Sequence, residues 1–273
     1  MGVGVKMLPT VLKEQLQQLY DELNRREFVH PDPLELLYKY DDVRDREIAA
    51  LVASALAYGN VKQILRSAGS VLERMGPPRS FLMNASLSLL RKTFADFKHR
   101  FTTGEELTGF LYAIKLAVDK RGSLEACFCA GLKESDETVA AALSSFVNEL
   151  CPAPEDRPAS LLPAPEKGSA CKRLNLFLRW MARRDLVDPG GWDHVSPSKL
   201  LAPVDTHMHR LAQRLGLTRR KQADLRTAHE ITAAFRDLDP DDPVKFDFCL
   251  TRLGIRKDAD VEEFMRRCGE SKG

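Results

Sequence analysis

No apolar run in this chain approaches the ~18 consecutive residues that a membrane-spanning helix needs. The opening residues, MGVGVKMLPT, lack the long apolar stretch and the cleavage site of a secretory signal. Lys6 stands where a myristoylated start would carry Ser or Thr. A cytoplasmic protein with no membrane partner is therefore expected. The six cysteines, Cys127, Cys129, Cys151, Cys171, Cys249 and Cys268, contain no CxxC pair and no regular framework. They read as reduced, packed thiols rather than a disulfide scaffold. Cys249 and Cys268, 19 positions apart, are too widely spaced for an iron–sulfur cluster. Neither a cofactor nor a metal is expected. A large net charge is missing too. Lys and Arg number 41 against 39 Asp and Glu, so any argument about partners has to come from how charge is distributed.

What the sequence has is helical periodicity over 273 residues, enough for one sizeable core or two small helical lobes. Nothing alternates apolar and β-branched residues over enough length to promise a sheet, so the fold is expected to be all-α. Residues 10–27 pair leucines with polar residues at helix spacing, up to a break at His30-Pro31-Asp32-Pro33. Asp45–Leu56 reads as a buried helix, Val61–Met75 as an amphipathic one, and Gly76-Pro77-Pro78 as a stop. Further helices are expected over Ser80–Lys92, Gly104–Arg121, Ser123–Cys129 and Asp136–Leu150, and again over Ala170–Arg184, Thr206–Leu215, Asp224–Leu238 and Pro243–Leu253. The proline-rich stretch 151–170 is the candidate linker between lobes at 40–150 and 170–256, with N-terminal helices over 10–40 and a frayed tail after Arg266.

Two of these helices carry candidate chemistry. With Lys172 at the origin of a helical wheel, Leu174, Phe177, Leu178 and Met181 fall within about 60° of the opposite pole and form the core face. Arg179 and Arg183 fall within about 20° of Lys172, on the side expected to be exposed. A partly desolvated lysine among other cations is one way a protein prepares an amine nucleophile; the same spacing also describes a plain solvated basic face. The second helix opens at Pro203-Val204-Asp205-Thr206-His207. Asp205 is placed as an N-cap, a role that by itself needs no chemistry. His207 and His209, two apart, point to different sides, unlike the i, i+4 pair of a helical metal site.

Charge is concentrated around Asp205. From Lys172 to Arg184 there are five cations and no acid, and from Arg210 to Arg226 six cations and only Asp224. Clusters of this kind within a near-neutral chain suggest a polyanion such as DNA or RNA.

The segment PVDTHMHRLAQRLGL, Pro203–Leu217, resembles the helix–hairpin–helix DNA glycosylase superfamily, whose members carry a very similar Val-Asp-Thr/Val-His stretch. Lys172 stands where bifunctional members have a lysine. Asp45–Met75 resembles the family's early helix pair, and Pro243–Ile255 its late helix. Together these cover most of residues 40–256. The usual Leu-Pro-Gly-Val-Gly hairpin is altered here to Leu162-Pro163-Ala164-Pro165-Glu166-Lys167-Gly168-Ser169, and 33 positions separate Lys172 from Asp205. That interval is similar to the archaeal 8-oxoguanine glycosylase branch, and the whole chain looks closest to a poorly characterised bacterial branch.

The resemblance implies a two-lobed helical glycosylase-like fold with a modified helix–hairpin–helix. It implies a DNA repair enzyme that everts a damaged base, an oxidised one among the candidates, and cleaves its N-glycosidic bond. Lys172 and Asp205 would be catalytic, with AP-lyase activity if Lys172 forms a Schiff base. Gly168, Ser169, Arg173, Arg179, Arg183, His207 and Arg210 would contact damaged DNA, duplex or single-stranded, and Tyr58, Asn60 and Trp192 would line the base pocket. A bacterial protein of this kind would associate with the nucleoid. The lesion and the oligomeric state are not given by the residues. Two other readings stay open: a non-catalytic DNA- or RNA-binding protein on the same fold, and a helical protein unrelated to nucleic acid.

Overall fold

The computed structural model describes residues 9–151, 158, 160–256 and 260–269. Their regular secondary structure is almost entirely helical, as expected. The first half comprises α1 (Pro9–Leu23), α2 (Val43–Ala55), α3 (Val61–Met75), α4 (Pro78–Asn84), α5 (Leu87–Phe94), α6 (Gly104–Arg121), α7 (Leu124–Cys129) and α8 (Ala140–Leu150). The second comprises α9 (Lys172–Ala182), α10 (Thr206–Arg214), α11 (Leu225–Leu238), α12 (Asp247–Ile255) and α13 (Val261–Arg267). Among the described residues no helix is long and apolar enough to cross a membrane. Seven residues of the proline-rich stretch expected to be a linker, 152–157 and 159, lie outside the described residues.

The ends of the helices follow local chemistry. Asp42 accepts from the N–H groups of Arg44 and Asp45 and so starts α2 two residues before the acidic turn suggested. Thr103 and Glu106 form a reciprocal capping box on α6, and Gly122, in the left-handed region, ends that helix. The expected helix over Ser80–Lys92 is instead two, because Ser86 turns to cap α5 through the Leu89 N–H. Asp32 likewise caps a 3-10 turn over Pro33–Lys39, where the prolines suggested only a break. Two features escaped the sequence reading. One is a minimal antiparallel hairpin, β1 (Lys98–His99) with β2 (Thr102–Thr103). The other is α13, which lies between the last expected helix, ending at Leu253, and the expected frayed tail after Arg266.

One hydrophobic core runs through the molecule from Leu12 to Cys268. Its centre is α2, in which every residue from Glu47 to Ala55 is buried. Ala49, Ala50, Ala53 and Ala55 keep that helix thin, so α9 packs directly on it. Phe177 and Leu178 of α9 are wholly buried; each side chain of that size contributes roughly 2 kcal/mol of burial.

Glu47, a carboxylate inside this core, is matched by donors on every side. It accepts from Leu124 N and Glu125 N at the start of α7, from Arg44, and from Trp192 Nε1 at 2.9 Å. Burial nevertheless pushes its carboxyl above the ordinary value. This also settles where Trp192 belongs. Its ring is buried against Phe128 and Phe177, with its one donor engaged by Glu47, so it is a core residue rather than a base-stacking one. Burial likewise pushes the thiols of Cys127 and Cys249 up to about 12, as inert packed cysteines require.

Candidate active site

Lys172 is the first residue of α9 and Asp205 the N-cap of α10. The two helix starts converge, and Lys172 Nζ lies 3.0 Å from Asp205 Oδ2. The other carboxylate oxygen, Oδ1, accepts from Met208 N at 2.8 Å, which fixes the group on the helix axis. Burial raises the Asp205 carboxyl, but the Lys172 ammonium and the Met208 N–H outweigh it and hold the group below the ordinary carboxylate range. The pair is not sealed. The side chains are 34% and 37% exposed, and both line a cleft of about 380 Å3. That volume falls within the ~300–1,000 Å3 of small-ligand sites.

The walls of the cleft mix apolar surface with paired charge. Tyr58, Ile64, Leu176 and Phe248 supply apolar area. Three ion pairs face in: Lys172–Asp205, Arg179–Asp247 and Arg252–Asp32. Asp32, Asp247 and Arg252 were not singled out in the sequence. The signal for Asp32 was the His-Pro-Asp-Pro break, whose prolines and aspartate form one rim. Asp247 is buried in the first turn of α12, and burial pushes its carboxyl up to about 6 even beside the Arg179 guanidinium. A second recess of about 300 Å3 shares Ala57, Tyr58 and Lys172 with the cleft and reaches Ser169.

Arg179 and Arg183 are not on an exposed face. Both are 3% exposed. Arg179 donates to Asp188 and Asp247, and Arg183 to Asp188 and, at 2.8 Å, to Asp242, with Asp185 2.9 Å away. The helical wheel misplaced them because α9 is buried on nearly every side, and carboxylates from the following loop and from α12 neutralise its arginines inside the fold. Both are engaged by carboxylates rather than presented on an open face. Arg173 is similarly engaged. It donates to the carbonyls of Ala55 and Ser160 and lies 5.0 Å over the Tyr58 ring. Of the expected basic face of α9 only Lys172 remains open; Arg184, beyond the end of the helix, is 3.8 Å from Asp193.

The second basic cluster is different. Arg214 pairs with Glu262 and Arg220 with Asp224, whereas Arg210, Arg219, Lys221 and Arg226 are exposed and make no ion pair among the described residues. Gly168, in the left-handed region at φ +78°, and Ser169 are exposed in the turn before α9. That turn is held against the start of α11 by the Gly168 carbonyl, which accepts from Leu225 N at 2.9 Å. Asn60 caps α3 through Lys62 N and does not line the cleft. Tyr58 does line it.

His207 is half-buried rather than displayed to a ligand, and its Nε2 is buried without a hydrogen-bond partner. His209 donates to the Arg220 carbonyl at 2.9 Å. Among the described residues no three His, Cys, Asp or Glu side chains are grouped to hold a metal ion. The Nε2 end of the His207 ring packs against Gly254 of α12, where a Cβ would fall 1.6 Å from Nε2 and 2.0 Å from Cε1. Glycine at 254 is what lets α12 lie against the first turn of α10. Gly254→Ala is expected to displace the ring and to cost about 1–3 kcal/mol, as overpacking does. Thermal unfolding checks this; an unchanged Tm would mean that the ring moves aside freely.

Neither the curated proteins nor the solved structures contain a significant match to this sequence. The pattern that does match covers residues 32–256, which takes in every cleft residue discussed except Pro31, and the chain belongs to the family described as a protein of unknown function, DUF2400.

Proposed function

We propose that this protein is a DNA glycosylase with AP-lyase activity, acting on a nucleotide everted into the Lys172–Asp205 cleft. The single observation behind this reading is the contact between an amine and an ionised carboxylate, each fixed at a helix start, in a cleft that stays open. An amine beside a carboxylate in a partly dry site is the arrangement that nucleophilic displacement at a sugar carbon needs. The resemblance of Pro203–Leu217 to the helix–hairpin–helix glycosylases points to the same chemistry.

Lys172 passes a proton to Asp205, and the neutral amine attacks C1′ of the deoxyribose. The C1′–N bond breaks with its electron pair going to the base, and Asp205 returns the proton to that base. As positive charge builds on the sugar, the regenerated carboxylate stabilises it. The amine attached to C1′ then loses a proton, the ring C1′–O4′ bond opens, and O4′ gains one. The resulting Schiff base makes the C2′ proton acidic enough for elimination of the 3′ phosphate.

Phosphate contacts would come from the turn at Gly168–Ser169 and from the start of α9. That helix start has no side-chain cap, so its first N–H groups are left to a ligand or water. Arg210, Arg219, Lys221 and Arg226 would add affinity without sequence selectivity. The test is a panel of oligonucleotides, each with one damaged base, incubated with the full chain and borohydride. Base release with a trapped covalent adduct is expected for at least one lesion. Salt-dependent binding with no release from any lesion would instead favour a binding protein on this fold, and no binding at all would remove nucleic acid from the account.

A further inference from the structure

α12 turns Phe248, Thr251, Arg252 and Ile255 toward the cleft, spaced three and four apart on one face of the helix. The side chain of Arg252 is 4% exposed, and its guanidinium bonds the carboxylate of Asp32 on the opposite rim. Both oxygens of Asp32 are taken: Oδ2 accepts from Arg252, and Oδ1 accepts from Leu34 N at 3.0 Å as the cap of the 3-10 turn. The donors of Arg252 are not all taken. Its Nε is buried and has no hydrogen-bond partner. The Phe248 ring, 5.0 Å from its Cζ, offers a face and no acceptor oxygen.

The other two cations of the cleft are placed differently. Arg179 is shared between Asp188 and Asp247, and Lys172 Nζ faces Asp205. Among the described residues, Arg252 Nε is the one buried Lys or Arg nitrogen left without an acceptor. A buried donor left idle is costly, more so on a charged group. A brace between α12 and the Asp32 turn needs only the ion pair, so it does not account for the idle donor. A guanidinium carries donors and no acceptor. What completes it is therefore a ligand that enters the cleft and brings an acceptor. A carbonyl oxygen on the edge of a nucleobase does so, and an exocyclic amino group does not.

We propose that Arg252 is a catalytic residue that donates to a carbonyl oxygen of the everted base and takes up the negative charge the base acquires as its C1′–N bond breaks. This rests on the proposed glycosylase reading. The electron pair of that bond spreads through the ring onto the carbonyl oxygen, which a charged donor then holds more tightly than in the intact nucleotide. The proton returned by Asp205 neutralises the departing base. Asp32 holds the guanidinium and is a positioning residue. The substrates are neutral bases with a carbonyl oxygen, because a base without one gains nothing from Arg252. The experiment uses the full chain on duplexes carrying one uracil, hypoxanthine, 8-oxoguanine, ethenoadenine or abasic site. Wild type should release at least one of the three carbonyl-bearing bases, and about tenfold or more faster than ethenoadenine, which has no carbonyl. The double variant Asp32→Asn/Arg252→Gln strands no buried charge. It should slow that release by about 10²-fold or more, while borohydride trapping at the abasic site, where no base departs, stays within about threefold. Arg252→Lys keeps a cation for Asp32 but has no Nε, and should trap normally while releasing the base about tenfold more slowly. Equal losses of release and trapping in folded variants would reduce the pair to a brace and overturn the proposal. Should the double variant lose its fold, Arg252→Lys decides alone, and wild-type release by it overturns the proposal. Release of ethenoadenine as fast as of the carbonyl-bearing bases, or wild-type trapping with no release of any of them, also overturns it while leaving Lys172 in place. Neither trapping nor release by wild type overturns both readings.

Discussion

Asp205→Asn is expected to lower base excision by about 10²–10³-fold or more, the range seen when one preorganised electrostatic group is removed, while DNA binding stays within a few-fold. The reason is the division of labour between the two oxygens. Oδ1 caps α10 by accepting from Met208 N, and Oδ2 faces Lys172 in the cleft. An asparagine keeps an oxygen for the cap, so the helix start survives, but it brings no negative charge to a developing sugar cation. Single-turnover excision alongside a binding isotherm separates the two effects. Proportional losses in binding, excision and Tm would reduce Asp205 to a helix cap. The pH dependence follows from the depressed carboxyl. Its folded value lies below its unfolded one, so its ion-pair contribution is present above the unfolded value of about 3.9 and is lost as pH falls through the lower folded value. Protonation of Asp205 therefore should not limit activity on the acid side until below about pH 4.

Arg179→Met is expected to destabilise the fold by about 3–5 kcal/mol, the usual cost of leaving a buried charge without its partner; for a chain of this size that is roughly a 10 °C loss in Tm. Arg179 holds Asp188 at 3.2 Å and bonds Asp247, and both carboxylates are buried. Arg183 can still serve Asp188, but Asp247 is left without a cation. The loss should be larger at pH 8 than near pH 5.5. Asp247 already has a raised folded value, so the folded state binds a proton that the unfolded state has released, and stability falls as pH rises through that window. Removing Arg179 widens the window upward. A wild-type Tm combined with a weaker salt dependence of DNA binding would instead put Arg179 on a phosphate.

The legible parts of this protein are those fixed by local chemistry. The bounds of α3 and α6 follow from Asn60, the Gly-Pro-Pro stop, and the Thr103–Glu106 and Gly122 signals. Asp205 was readable as a cap, and its meeting with Lys172 across 33 positions came from the resemblance, not from either residue's surroundings. What could not be read depended on distant partners. Arg179 and Arg183 looked exposed because a wheel records only one helix, while the carboxylates that bury them arrive from Asp185, Asp188, Asp242 and Asp247. Trp192 looked like an aromatic available for stacking, yet Glu47, 145 positions earlier, claims its indole N–H. The β1–β2 hairpin is too short for alternation to show, since its pairing rests on contacts with Tyr58.

The network beneath the site also bears on its chemistry. Arg179 and Arg183 face four carboxyl groups, of which Asp188 and Asp247 are buried with them. Asp247 is close enough for its carboxyl to feel both Lys172 and Asp205.

The most direct measurement is peptide mapping of the adduct formed when the full chain is reduced with borohydride on an oligonucleotide containing one lesion or abasic site. The expected result is a single modified peptide with the sugar remnant on Lys172, absent in Lys172→Ala. An adduct on any other lysine, or none on any oligonucleotide offered, would contradict the assignment of this cleft to cleavage of DNA.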